Sequence, residues 1–156
     1  MQSSRLRLNL VLLLTLLGAC APLGTQVPNT QSTPSHGDSW TITLRQSGGF
    51  VGVDKTVQVS SDGQLVAADQ RSGRRAALEL APKSISELSQ LYYDAASPAQ
   101  APRESACADC FVYDLAIETQ GGNTDIRLDD TSLAGSKAGP LIHYLIQLRD
   151  AALATP

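Results

Sequence analysis

The chain has 156 residues, 12 Lys and Arg against 15 Asp and Glu, and only seven aromatic residues: Trp40, two Phe and four Tyr. That is the length of one domain, whose core must rest on Leu, Ile, Val and Ala. The acidic balance excludes a nucleic-acid binder, which needs a basic patch, and the longest basic cluster is the short group Arg71, Arg74 and Arg75.

The N-terminus carries Arg5 and Arg7, then an apolar run from Leu8 to Leu17 broken only by Asn9 and Thr15, then Gly18-Ala19-Cys20. A charged start, an apolar stretch too short to span a bilayer and small residues at the end are the marks of a signal peptide over residues 1–19. The Leu17-Gly18-Ala19-Cys20 ending resembles the lipobox of bacterial lipoproteins. That resemblance implies cleavage before Cys20, lipidation of its sulfur and anchorage on the outer face of a cell membrane or outer membrane. Ala21 after the cysteine favours the outer membrane in a cell that has two. Removing Arg5 and Arg7 takes the cations from 12 to 10 against 15 acidic groups, so the mature chain has a net charge of -5.

Residues 21–38 are rich in Pro, Thr, Ser, Gln and Asn without apolar periodicity. Such a segment cannot bury enough surface to offset its ordering entropy, and it reads as a tether with a reach of roughly 20 Å. A single domain is expected over 39–154. Trp40, Ile42 and Leu44 alternate with Thr41, Thr43 and Arg45, the period of a half-buried strand. Ser47-Gly48-Gly49-Phe50-Val51-Gly52-Val53 predicts a turn or bulge that either presents Phe50 or tucks it into the core. Thr56–Ser60 and Gln64–Ala68 predict strands joined at Asp62-Gly63, and Ala76–Leu80 a further strand after Ser72-Gly73.

Pro82 and the capping-box pattern Ser84-Ile85-Ser86-Glu87 predict a helix start. Ile85, Leu88, Leu91, Tyr92 and Ala95 form its apolar face, and 97–106 is a connecting loop. Phe111, Tyr113, Leu115 and Ile117 share one face of a strand that turns at Gly121-Gly122-Asn123 into Thr124, Ile126 and Leu128. Thr131–Gly139 predicts a loop, with Asp129-Asp130 a solvated turn. Pro140 opens a last helix, whose apolar face is Leu141, Ile142, Leu145, Ile146, Leu148 and Leu153. The expected class is α+β, an antiparallel sheet of about five strands with two helices packed on one face.

Cys107-Ala108-Asp109-Cys110 precedes a strand, whereas a thioredoxin-like redox pair should open a helix that lowers the thiol pKa. Zinc would need two more ligands, and His36 and His143 are the only histidines. With Cys20 lipidated, a structural disulfide between Cys107 and Cys110 is the expected state in an oxidising compartment. The sequence holds no His-Glu-x-x-His, nucleophile elbow, Walker loop or dinucleotide fingerprint. No catalytic residue, metal site, cofactor or small-molecule substrate is expected, and no enzyme.

The stretch Trp40-Thr-Ile-Thr-Leu-Arg-Gln-Ser-Gly-Gly-Phe-Val-Gly52 resembles the opening strand of the emfourin family, bacterial protein inhibitors of thermolysin-family metallopeptidases, in which a strand also ends in Ser-Gly-Gly-Phe-x-Gly. The likeness continues in pattern over residues 40–149: a Leu-rich helix, a Pro-containing loop, the Phe-x-Tyr-x-Leu-x-Ile strand, a hairpin and a terminal helix. The lipid anchor, the tether and the Cys107, Cys110 pair depart from that family. The resemblance implies a secreted or surface zinc metallopeptidase as partner, met by Gly48, Gly49, Phe50, Val51 and Gly52, with 97–110 and 131–139 as flanking loops.

Overall fold

The computed structural model describes residues 39–96 and 107–155. The signal peptide, Cys20, the tether with His36, and the loop at 97–106 lie outside the described residues. Six strands, β1 (Trp40–Gly48), β2 (Val53–Ser60), β3 (Gln64–Asp69), β4 (Arg74–Glu79), β5 (Phe111–Thr119) and β6 (Gly122–Asp129), form one antiparallel sheet in the order β4-β3-β2-β1-β5-β6. The helices are α1 (Pro82–Ala95), the short α2 (Asp130–Leu133) and α3 (Gly139–Ala154). The fold is thus α+β, with six strands where the periodicities suggested about five. The segment Ala76–Leu80 is a true edge strand, starting two residues earlier at Arg74.

Alternation decides the two faces of the sheet. Ile42 and Leu44 of β1, Val57 and Val59 of β2, Leu65 and Ala67 of β3, and Leu115 and Ile117 of β5 are buried on one face. Against them pack Leu88, Tyr92 and Ala95 of α1 and Leu141, Ile142, Leu145, Ala152 and Leu153 of α3, in one continuous core. The opposite face carries a ladder of charges, where Arg45 pairs with Asp54 at 2.9 Å and Arg127 with Asp114 at 2.9 Å. Solvent-exposed pairs of this kind contribute little individually, and they keep a wide open face polar.

Two helix starts differ from expectation. The Ser84–Glu87 pattern does not cap α1, which begins two residues earlier at Pro82 after Ala81 and has no side-chain cap. Proline needs no N–H partner at the first helical position, so it opens the helix without help. A capping box does form at the other helix start, where the sequence suggested only a loop. Asp129 accepts the backbone N–H groups of Thr131 and Ser132, and the Ser132 hydroxyl accepts the Asp129 N–H in return. The chain therefore turns directly from β6 into α2.

Leu44 is fully buried on β1, between β2 and β5. Leu44→Ala should cost about 2–5 kcal/mol, since the hydrogen-bonded sheet cannot collapse into the cavity, and urea unfolding measures the loss.

Candidate functional site

Antiparallel order sorts the connections between the two ends of the sheet. One end holds the entry at Ser39–Trp40, the β2–β3 turn and the β5–β6 turn. The other end gathers the β1–β2 turn at 49–52, the β3–β4 turn at 70–73, the Cys107–Cys110 corner and the β6–α2 junction.

At this second end, Gly48 pairs with both Val53 and Phe111, so β1 stays in register on both sides up to its last residue. The next four residues make a tight turn closed by the Gly52 N–H donating to the Gly49 carbonyl at 2.9 Å. Gly48 (φ 90°) and Gly49 (φ 69°) both lie in the left-handed region, which glycine adopts without strain. Both are also pressed against β5. A Cβ on Gly48 would stand 2.7 Å from the Cys110 carbonyl oxygen, and one on Gly49 would enter the Phe111 ring. The Gly49 N–H donates to that same Cys110 oxygen at 3.1 Å. The turn is therefore seated on the cysteine corner.

This seating decides where Phe50 goes. It is 94% exposed, and Val51 is 61% exposed. Of the two sequence alternatives, core or surface, Phe50 takes the surface; the ring that packs beneath the glycines belongs to Phe111. Gly48, Gly49, Phe50, Val51 and Gly52 are brought together as one protruding tip. The sulfurs of Cys107 and Cys110 lie within disulfide-bonding distance, with Cα atoms 5.5 Å apart.

A polar lock holds the cysteine corner from behind. Asp130 accepts the Phe111 N–H at 2.8 Å through one carboxylate oxygen and the Tyr113 hydroxyl at 2.8 Å through the other. The Asp129-Asp130 pair is thus a cap and a clamp, in place of the solvated turn expected. Burial and the hydrogen bond to Asp130 push the Tyr113 hydroxyl up to about 12. Gln46, the cross-strand neighbour of Tyr113, and Arg149 of α3 are also buried. The Arg149 Nε donates to Asp150 at 2.9 Å, while its Nη1 has no hydrogen-bond partner among the described residues.

The sequence carried signals for two of these features. Asp129-x-x-Ser132 is a capping pattern directly after an alternating strand, and Arg149 continues the i, i+4 stripe of Leu141 and Leu145. Asp130 reaching Phe111 and Tyr113, 19 and 17 residues away, has no local signature. His143 is exposed on α3 and joins none of these groups. Among the described residues no set of three His, Cys, Asp or Glu side chains is arranged to hold a metal ion.

Two predictions test the corner. Gly52 has φ 62° and open space around it, so Gly52→Ala should cost about 1 kcal/mol from backbone strain alone. Gly48→Ala adds a collision with backbone and should cost about 3 kcal/mol; thermal unfolding of both variants gives the comparison. A raised tyrosine pKa contributes stability fully below the unfolded value of about 10, and that stability is lost as pH rises through the folded value near 12. Tyr113→Phe should therefore flatten the fall in unfolding free energy between pH 10 and 12, read from urea titrations at each pH.

No family model matches the chain, and no curated protein matches it either.

Proposed function

We propose that this chain is a membrane-anchored extracytoplasmic lipoprotein that inhibits a thermolysin-like zinc metallopeptidase by inserting the Phe50–Val51 tip into its cleft. The observation that carries the reading is a large aromatic side chain, 94% exposed, held on a turn that its own fold has made rigid. Exposing such a ring to water forgoes roughly 1.5–3 kcal/mol of burial, a cost that a partner pocket recovers on binding. The turn is fixed at both ends by strand pairing and below by Cys110 and Phe111, so little conformational entropy remains to be lost on association.

The same geometry explains how a peptidase could be met without the loop being cut. Peptidases bind substrate backbone extended. Phe50 and Val51 are the central residues of a closed turn, and flattening it would break the Gly52–Gly49 and Gly49–Cys110 hydrogen bonds. The resemblance of residues 40–149 to emfourins supports the choice of partner, and the lipobox at Cys20 supports the location.

The test is a titration of thermolysin, acting on a small peptide substrate, with the full-length protein expressed with its export signal and purified in detergent. Loss of activity near a 1:1 ratio is expected. A folded protein without effect on the enzyme would remove the inhibitor reading and favour a non-inhibitory binding or structural lipoprotein of the envelope. Phe50→Ala should raise the inhibition constant about 100-fold with no change in melting temperature, because the ring contacts solvent in the free chain.

A further inference from the structure

Arg71 lies in the β3–β4 turn, and Arg74 and Arg75 open β4 with their backbones paired to β3. All three side chains are exposed in or beside the β3–β4 turn. Among the described residues the ion pairs are made by Arg45, Lys55, Arg127 and Arg149, and none involves these three. Asp69 is not their counter-ion. Its carboxylate accepts the backbone N–H groups of Arg71 and Ser72, and these hydrogen bonds hold it below the usual carboxylate range.

The turn stands at the same end of the sheet as the Phe50 tip. The β1–β2 and β3–β4 hairpins are adjacent, so their tips are separated by about two strand spacings, or ~10 Å. The Gln70 N–H donates to the Asp54 carbonyl at 2.9 Å, tying the second turn to the start of β2. Between the two hairpins lies a cleft of about 380 Å³ lined by Val53, Asp54, Lys55, Asp69, Arg71 and Ser72. Its other charges are already engaged: Asp54 by Arg45, Asp69 by backbone, and Lys55 by Asp150 at 3.7 Å. The Arg71 guanidinium is the one charged group lining it that has no partner among the described residues.

The geometry points to a bipartite docking surface, in which the Phe50–Val51 tip enters an apolar pocket while the Arg71–Arg75 turn receives acidic side chains on the rim of that pocket. It rests on the inhibitor reading and specifies the partner: a peptidase with carboxylates about 10 Å to one side of the pocket that takes Phe50. Charge complementarity is the reason to choose a protein carboxylate. In a mature chain of net charge -5, association with an acidic surface is repulsive except where cations are concentrated, and here they are concentrated beside the tip. The chain enters the sheet at Trp40, the far end of β1, some nine residues or ~30 Å from this surface.

The experiment compares the full-length wild type, the triple variant Arg71→Glu/Arg74→Glu/Arg75→Glu and Phe50→Ala for association and dissociation rates with thermolysin, read from progress curves at low and high salt. The triple variant should stay folded, with a slightly lower melting temperature because Arg74→Glu faces Asp69 across the strands, and lose about tenfold in association rate at low salt, with dissociation little changed. The wild-type association rate should fall with salt, and that of the triple variant should not. Equal association rates for wild type and triple variant, with Phe50→Ala still defective, would overturn the bipartite surface and leave the inhibitor reading standing. Absence of inhibition by the wild type would overturn both. Co-sedimentation of the wild type with vesicles of anionic phospholipid, lost in the triple variant whose peptidase kinetics are unchanged, would assign the arginines to lipid headgroups instead.

Discussion

β1 is hydrogen-bonded along both edges, to β2 and to β5, and its register on the two sides is the constraint from which the rest of the structure follows. A one-residue slip on either side would carry Ile42 and Leu44 from the core to the charged face. Because the register is kept as far as Gly48, the end of β1 lies against Phe111, and the first residue of the turn meets the last residue of the cysteine corner. Only a residue without a side chain can make that approach. The two glycines are required as much by what lies beside them as by their backbone angles.

Polar groups do what apolar packing cannot at this corner. Phe111 and Tyr113, which pack at the start of β5, are both also held by one carboxylate from the helix start after β6. Asp129 is fully engaged with the first turn of α2, so the adjacent Asp130 is delivered to β5 with little freedom. Hydrogen bonds to an ionised acceptor are the stronger kind, and a partly buried setting raises their value further. Arg149, on the core side of α3, is buried with its Nε donating to Asp150 and its Nη1 without a partner among the described residues, so the cost of its burial is only partly offset.

The antiparallel sheet sorts its connections into two unlike ends. The entry of the chain, the β2–β3 turn and the β5–β6 turn occupy one end, while the exposed tip, the cysteine corner and the arginine turn occupy the other. In the proposed complex, an apolar tip beside a cationic turn would divide the work of binding. Burial of the aromatic ring governs how long a complex lasts, and long-range charge governs how often one forms.

The sequence by itself determined the class of fold and most of its elements. Alternation over Trp40–Leu44 and Phe111–Ile117, the turn pairs Asp62-Gly63 and Gly121-Gly122, and the i, i+3, i+4 stripes of the two long helices are local patterns, read without knowing any distant neighbour. The Ser47–Gly52 stretch could be marked as special on composition alone. Whether Phe50 turned in or out could not, because that depends on Phe111, 61 positions later, occupying the space under the glycines first. The role of Asp130 was hidden for the same reason: an acidic residue in a loop looks solvated until a strand is brought beside it, whereas the Asp129 cap is local. The meeting of the arginine turn with the tip likewise follows from strand order, a property of the sheet that no single segment carries. Local periodicity is written residue by residue, but contacts between segments exist only once register and strand order are set.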